Sequence, residues 1–297
     1  VPKGGLRAFR YNGQLHKLPL RRQLLLNFHD SDRMGMRASA EETLLKLEKL
    51  YFWPGMEHDT QRWVGSCAVC RLIKPSRGLS ADARMELCDR PFRLIGIDDL
   101  GPISPESEGK SYILHAECAF SHYAWLESAA DNSAATWARF LVERVMFDLA
   151  GFPPVLRSDR GNAFVSEVVA QINSLLGVSH PLGSAYRPES QGFVEARHQK
   201  VNRVLAACTA AHPERWARWV PLAQWCLRAT PMAHRAGRSA FEIITGMVPQ
   251  GPVDEVLRRL EPGRRLEPGH YVRDLLEHLE STHATVAREL KASYDED

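Results

Sequence analysis

Two acidic residues, each set in its own turn-forming phrase, most constrain what this chain can fold into. Asp159 follows the apolar run 154–156 and precedes Gly161, so we expect it at the exposed end of a buried strand. Glu195 comes just after Gly192, at the start of an uninterrupted helical stretch that runs to about residue 211. The two acids are separated by 35 residues.

A third acid lies upstream in another strand-like segment. The apolar pattern of residues 94–100 contains Asp98 and Asp99 and ends in Gly101-Pro102. Because adjacent side chains of a strand point to opposite faces, only one of these two acids can enter a shared site.

These acids and their surroundings resemble a known family. Asp98 in Asp-x-x-Gly-Pro, Asp159 in Ser-Asp-x-Gly and Glu195 in Tyr-x-Pro-x-Ser-x-Gly-x-x-Glu are similar to the Asp, Asp-35-Glu core of retroviral and long-terminal-repeat retrotransposon integrases. The context resembles the gypsy-like branch most, and the resemblance covers roughly residues 20–250. It favours Asp98 over Asp99, because Asp98 holds the Asp-x-x-Gly-Pro position.

The resemblance implies a function and its cofactors. Phosphodiester chemistry with two Mg²⁺ (or Mn²⁺) ions uses hard oxygen ligands. By resemblance, Asp98 bridges both ions, Asp159 binds one and Glu195 the other. The site would trim the 3′ ends of the element's double-stranded DNA and join them to target DNA. The family also implies a homo-oligomer, working in the nucleus or a pre-integration particle.

A small zinc domain is expected before the core. His29 and the pair Cys67 and Cys70 supply three zinc-ligand side chains to short helices that bury little surface. This matches the family's His-His-Cys-Cys domain, including the phrase Tyr51-Phe52-Trp53-Pro54-Gly55-Met56. A Cys-x-x-Cys pair can also be two packed thiols.

The second histidine of that domain is missing. Met36 stands where it is expected, and a thioether is a poor zinc ligand. Three alternatives remain open: water completes the site, the metal is lost, or a nearby residue completes it. The candidate residues are His16, His58, Asp30 and Asp32.

Element patterns give the fold class. Strand-like runs cover residues 92–100, 111–120 and 123–129, and a helix is expected over 133–150. The Asp159 strand, a helix near 165–176, a short strand near Val178 and the Glu195 helix follow. Strands in succession and then alternation with helices predict an α/β fold. The resemblance implies a ribonuclease-H-like catalytic core.

The domain organisation follows from composition and pattern, with two or three domains expected for 297 residues. The predicted parts are a basic N-terminal arm that runs loose (1–19), a helical His/Cys zinc-binding-type domain (20–75), a linker (76–91), the catalytic core (92–250) and a charged helical C-terminal tail (251–297).

The helix that carries Glu195 offers a polar face for DNA. His198 and Asn202 recur on the side of Glu195, and Arg197 and Lys200 add positive charge. We predict that these four residues contact DNA. A solvated helix face is the competing interpretation, and for Arg197 and Lys200 it has equal weight.

Charge and cysteine content limit the class of protein. The net charge is only +2, but residues 1–37 hold eight Lys or Arg against two Asp, which suits phosphate contact. No apolar run approaches the ~20 residues of a membrane span. The scattered cysteines favour reduced thiols and an intracellular protein.

A second function class remains open beside the active integrase. A decayed or host-captured descendant would bind DNA or protein without catalysis. Met36 favours this alternative, whereas the three intact acids favour the enzyme.

Overall fold

The computed structural model of the protein describes residues 9–11, 14–16, 20–31, 37–49, 51–72, 88–149, 151, 153–158, 160–177, 192–209, 212–249 and 268–296. Only the backbone is described for residues 9–11, 14–16, 20, 72, 162, 192–197, 207, 268–271 and 293–296. The predicted strand near Val178 and most of the predicted linker lie outside the described residues.

The N-terminal arm contains a hairpin, which corrects the expectation of a loose segment. Strands β1 (Phe9–Tyr11) and β2 (Gln14–His16) pair antiparallel, with Tyr11 opposite Gln14. The sequence between them is Asn12-Gly13, a dipeptide typical of two-residue hairpin turns. That signal was available in the sequence and was missed.

In the described part of residues 20–75, the chain forms four helices. They are α1 (Leu20–Leu25, extended by a π-helical turn, Leu26–Asp30), α2 (Ala40–Glu48), α3 (Met56–Ser66) and α4 (Ala68–Leu72). Ser39 caps α2, because its hydroxyl accepts from the Glu42 amide while Glu42 accepts from the Ser39 amide. The apolar cluster of this domain consists of the buried side chains Leu24, Leu25, Phe28, Leu47, Trp53 and Met56.

One four-stranded sheet forms the centre of the core. Its strands are β3 (Leu94–Leu100), β4 (Tyr112–Cys118), β5 (Ala124–Ala129) and β6 (Val155–Ser158), in the order β5-β4-β3-β6. The first three pair antiparallel as a meander, and β6 joins β3 in parallel. The expected strands therefore form, each within two residues of the predicted bounds.

Helices cover both faces of this sheet. One face carries α5 (Ala134–Phe140), a π-helical turn (Leu141–Met146), α6 (Phe147–Leu149) and α7 (Gly161–Leu176). The other carries α8 (Gly192–Thr209) and the helical residues 213–229. Helix α7 begins four residues earlier than expected, directly after the turn at Gly161, whose φ is +84°.

The chain after α8 completes the core. Its elements are a 3₁₀ turn (Pro213–Trp219), α9 (Val220–Ala229), β7 (Pro231–Met232), a 3₁₀ turn (Ala233–Arg235), β8 (Arg238–Ser239), α10 (Ala240–Thr245) and α11 (Pro268–Glu296). The first of these elements is kinked, because Arg215 leaves the helical conformation within it.

The C-terminal helix α11 packs against the core. Val286 and Leu290 are buried in the same apolar cluster as the sheet, and the His283 ring nitrogen Nε2 lies 2.8 Å from the carbonyl oxygen of Ile243. The predicted helical extension is confirmed, but it is part of the core's packing. Together the elements form an α/β, ribonuclease-H-like core between a helical domain and a C-terminal helix.

Candidate active site and metal centre

Asp98 lies on β3 and faces α8. Its cross-strand partner is His115 of β4, and directly opposed residues share one face of a sheet. The Asp98 Oδ1 atom accepts a 2.8 Å hydrogen bond from the Asp99 amide. The turn after β3 requires glycine, because a Cβ on Gly101 would lie 2.5 Å from the ring of Tyr112.

Asp99 points to the opposite face. Its Oδ2 atom accepts a 2.8 Å hydrogen bond from Asn132, and Arg160 lies 3.6 Å from its Oδ1 atom. Arg160 also donates to the backbone carbonyl of Asn132 and covers the ring of Phe164. These contacts join the end of β3 to the turn that begins α7.

Asp159 lies outside the described residues, but its neighbours on both sides are described. Ser158 ends β6 and pairs with Ile97, the residue before Asp98. The chain therefore leaves the sheet beside Asp98. Arg160, the residue after Asp159, lies 3.6 Å from the Asp99 carboxylate.

The backbone of Glu195 lies in the first turn of α8, and its side chain is not among those described. His198, three residues later, occupies the same helix face. The His198 Nδ1 atom lies 3.5 Å from the Asp98 Oδ2 atom, and only 15% of the His198 side chain is exposed. This face of α8 therefore lies against the end of β3 that carries Asp98.

The four predicted DNA contacts have different surroundings. His198 faces Asp98, Lys200 donates a 2.7 Å hydrogen bond to Glu42 of the helical domain, and Asn202 is exposed. The side chain of Arg197 is outside the described part of α8. Among the described side chains, Asn202 is thus the predicted contact that is open to a ligand.

A buried polar group beneath His198 was missed by sequence reasoning. The Glu117 carboxylate accepts a 3.1 Å hydrogen bond from His115 Nε2 and pairs with His122 Nδ1. Arg235 lies 3.0 Å from His122 Nε2. His115 and Glu117 recur at alternate positions of an apolar strand, and this alternation is the signal that could have revealed the group.

Burial sets the charge state of His198. Removal from water is the main influence, and the nearby His115 ring adds to it; together they lower the pKa of His198 to about 3. The imidazole is therefore neutral at pH 7, with one proton to share between its two nitrogens.

The structure brings the three predicted zinc ligands together. One ligand atom each of His29, Cys67 and Cys70 lies within 4.8 Å of the others, and Cys70 Sγ is 3.4 Å from His29 Nε2. The His29 Nδ1 atom lies 2.9 Å from the Ala38 carbonyl oxygen, which orients Nε2 toward the sulfurs. Two thiols and an imidazole fit zinc.

The protonation states of these ligands also suit zinc binding. Burial lowers the pKa of His29, so its ring is neutral at pH 7 and has a lone pair for a metal. Burial and then the adjacent Cys67 raise the pKa of Cys70 to about 11. Cys70 therefore holds its proton until a metal displaces it.

The described residues supply no fourth zinc ligand. Charged side chains lie beside Cys67 instead. Arg37 Nη1 is 3.2 Å from Cys67 Sγ and pairs with Asp30. Asp30 also accepts a 2.7 Å hydrogen bond from Trp63. Met36 lies outside the described residues, whereas His58 is described and is exposed.

Comparison with known families supports the domain order. The family model of the integrase zinc-binding domain matches residues 17–76, and that of the integrase core domain matches residues 89–188. The two matches cover more than half of the chain. The core match ends before Glu195.

Viral polyproteins are similar to most of the chain. The Pro-Pol polyprotein of Feline foamy virus is 30% identical over 198 residues, 65% of this chain and 16% of the polyprotein. The Gag-Pol polyprotein of Feline leukemia virus is 30% identical over 233 residues, 77% of this chain and 13% of the polyprotein. The Pol polyprotein of Radiation murine leukemia virus (strain Kaplan) is 31% identical over 231 residues, 76% of this chain and 38% of the polyprotein.

The chain thus spans well under half the length of these relatives. The closer resemblance to the gypsy-like branch stays a prediction. Across the described helices, we find none with the length and apolar character to cross a membrane. The zinc-ligand cluster, the α/β core and the two family matches together place this chain in the integrase family of retroviruses and related retroelements.

Proposed function

We propose that this protein is a metal-dependent integrase that trims the 3′ ends of an element's DNA and joins them to target DNA. The observation that carries the proposal is the approach of α8 to the end of β3. His198 contacts Asp98 from the same face of α8 that carries Glu195. The end of β6, one residue before Asp159, is the neighbouring strand end.

The donor set suits Mg²⁺ or Mn²⁺. Asp98, Asp159 and Glu195 would hold the ions through carboxylate oxygens, the ligands that hard cations prefer. When bound, divalent cations neutralise the scissile phosphate, activate the attacking oxygen and stabilise the leaving oxygen. The mostly buried Asp98 carboxylate keeps its position through the Asp99 amide and His198.

The remaining parts of the chain would serve DNA binding and assembly. Arg197 and Asn202 would contact double-stranded DNA along α8, and Lys200 would have to exchange Glu42 for a phosphate to do so. Residues 20–75 would hold zinc through His29, Cys67 and Cys70, and residues 92–250 would act as the catalytic core. We further propose a homo-oligomer acting within the cell, in the nucleus or a pre-integration particle.

A strand-transfer assay tests the proposal. Purified protein, Mg²⁺ or Mn²⁺ and a labelled duplex with the element's terminal sequence should give joined products. Glu195→Gln should abolish them, whereas Glu167→Gln, the same change at an exposed position of α7, should leave them intact. Products that persist in Glu195→Gln would contradict the role given to Glu195.

The alternative is a non-catalytic DNA- or protein-binding descendant, which Met36 favours. A folded wild-type protein that binds the duplex but yields no joined product with either metal would support this alternative.

A further inference from the structure

The contact between His198 and Asp98 places His198 in the active site, away from the predicted DNA surface. Both side chains are largely buried, with 15% and 13% exposed, and their nearest atoms, Nδ1 and Oδ2, are 3.5 Å apart. A side chain this enclosed offers little area to a DNA backbone.

The other side of the His198 ring lies against a fixed neighbour. Its centroid is 5.2 Å from that of His115, which is fully buried. His115 donates through Nε2 to Glu117, because a carboxylate can only accept. Since arginine can only donate, His122 accepts from Arg235 at Nε2, and its Nδ1 proton faces Glu117.

This chain of contacts fixes the His115 ring from beneath. Glu117 receives hydrogen bonds from imidazoles on two sides, and Arg235 anchors the far end by also donating to the backbone carbonyl of Phe120. The ring on which His198 rests therefore has little freedom to turn, and it supports His198 in one orientation.

The position of the His198 proton follows from its surroundings. The His198 Nε2 atom is buried and has no hydrogen-bond partner among the described residues. A buried N–H without a partner is rarer than an acceptor without one. A protonated Nδ1, by contrast, would have the Asp98 Oδ2 atom 3.5 Å away.

We infer that His198 is a positioning residue that fixes the rotation of the Asp98 carboxylate for metal binding. The Asp99 amide donates a 2.8 Å hydrogen bond to Oδ1, and the His198 Nδ1 atom lies 3.5 Å from Oδ2, so each oxygen has a neighbour in the fold before a cation arrives. Partners of this kind typically change metal affinity by about 10–100-fold when they are removed. The inference rests on the proposed role of Asp98 as a metal ligand.

Direct binding of Mn²⁺ to the zinc-loaded full chain, measured by calorimetry, tests the inference without an activity assay. His198→Phe keeps a ring against His115 but removes the donor, whereas His198→Asn keeps an amide N–H near the position of Nδ1. We expect a loss of about tenfold in Mn²⁺ affinity for His198→Phe and a change within about threefold for His198→Asn. Asp98→Asn identifies the part of the Mn²⁺ binding that belongs to the proposed site, and Gln171→Ala, at an exposed position of α7, is the control.

Anisotropy of a labelled duplex separates positioning from DNA contact. We expect His198→Phe to bind DNA as the wild type does. An unchanged Mn²⁺ affinity in His198→Phe, or a loss in His198→Asn equal to that in His198→Phe, overturns the inference. If the wild type shows no Mn²⁺ binding that Asp98→Asn removes, the proposed function itself fails.

Discussion

Glu42 and Lys200 join the helical domain to the core through a 2.7 Å hydrogen bond between oppositely charged side chains. The same Glu42 carboxylate accepts from the Ser39 amide and so completes the cap of α2. A second pair repeats the arrangement in reverse, since Lys49 from the helical domain pairs with Glu242, which caps α10. Two capping glutamates are thus each neutralised by a lysine from the other domain.

The Glu42–Lys200 pair should contribute measurably to stability. Burial raises the pKa of Glu42, but Lys200, the Ser39 amide and the charge of Lys46 together outweigh burial and lower it to about 2. In a double-mutant cycle of Glu42→Gln and Lys200→Met, we expect a coupling of about 1.5–3 kcal/mol in the free energy of unfolding. Glutamine can still complete the cap, so the cycle isolates the charge.

Urea unfolding checks this coupling. Glu41→Gln, the neighbouring exposed residue, should change the unfolding free energy by less than about 0.5 kcal/mol. Strictly additive effects of the two substitutions would show that the pair adds nothing.

Lys46 should make stability depend on pH. Burial first, and then the nearby charge of Lys200, lower the pKa of Lys46 to about 7, although Glu42 opposes the shift. Between pH 7 and its ordinary value of 10.5, the unfolded chain holds a proton that the folded protein lacks, so this group makes stability rise with pH. Below pH 7 the folded protein bears the full free-energy cost of burying the charged Lys46 side chain.

Lys46→Met should therefore stabilise the protein most at low pH. We expect a gain of about 1–3 kcal/mol in the unfolding free energy at pH 6, shrinking toward pH 9.5. Lys291→Met, at an exposed position of α11, should show no such trend. A gain for Lys46→Met that is the same at both pH values would argue that Lys46 keeps its ordinary pKa.

Asp98 and Asp99 should respond differently to the same substitution. Asp98→Asn should abolish strand joining with little loss of stability. Asp99→Asn should lower the unfolding free energy by about 1–3 kcal/mol, because Asn132 and Arg160 lose a charged acceptor. Unfolding curves and joining assays on both variants check this; loss of joining without loss of stability in Asp99→Asn would make Asp99 the metal ligand instead.

Met36→His should strengthen zinc binding. The imidazole would restore the missing ligand next to Arg37, which already contacts Cys67. We expect zinc affinity to rise at least about tenfold in competition with a chromophoric chelator. Met34→His, the same change two residues away, is the control. An equal rise of zinc affinity in both variants would show that the gain does not depend on position 36.

Much of the fold could be predicted because its signals are local. Apolar runs in the sequence indicated β3, β4 and β5, and a serine followed three residues later by a glutamate, Ser39 and Glu42, is a local signal for the start of α2. Such patterns act over two to four residues, so they can be seen without knowing what the chain packs against. His29, Cys67 and Cys70 were found in the same way, from residue type and spacing.

The surroundings of the candidate site could not be predicted in this way. His198 is 100 residues from Asp98, and its position in the helix pattern fitted a DNA-facing side chain as well as an inward one. Lys200 was predicted to contact DNA or to lie on a solvated helix face, yet it pairs with Glu42, 158 residues away.

The sequence by itself determined the α/β order of elements, the three acids in their motifs and the three zinc-ligand side chains. Only the tertiary structure decided that Asp98 faces α8 while Asp99 faces Arg160, and that His198 turns inward. The reason is that periodicity specifies which residues share a face of a strand or helix, whereas the partner of that face depends on how distant elements pack to bury apolar surface.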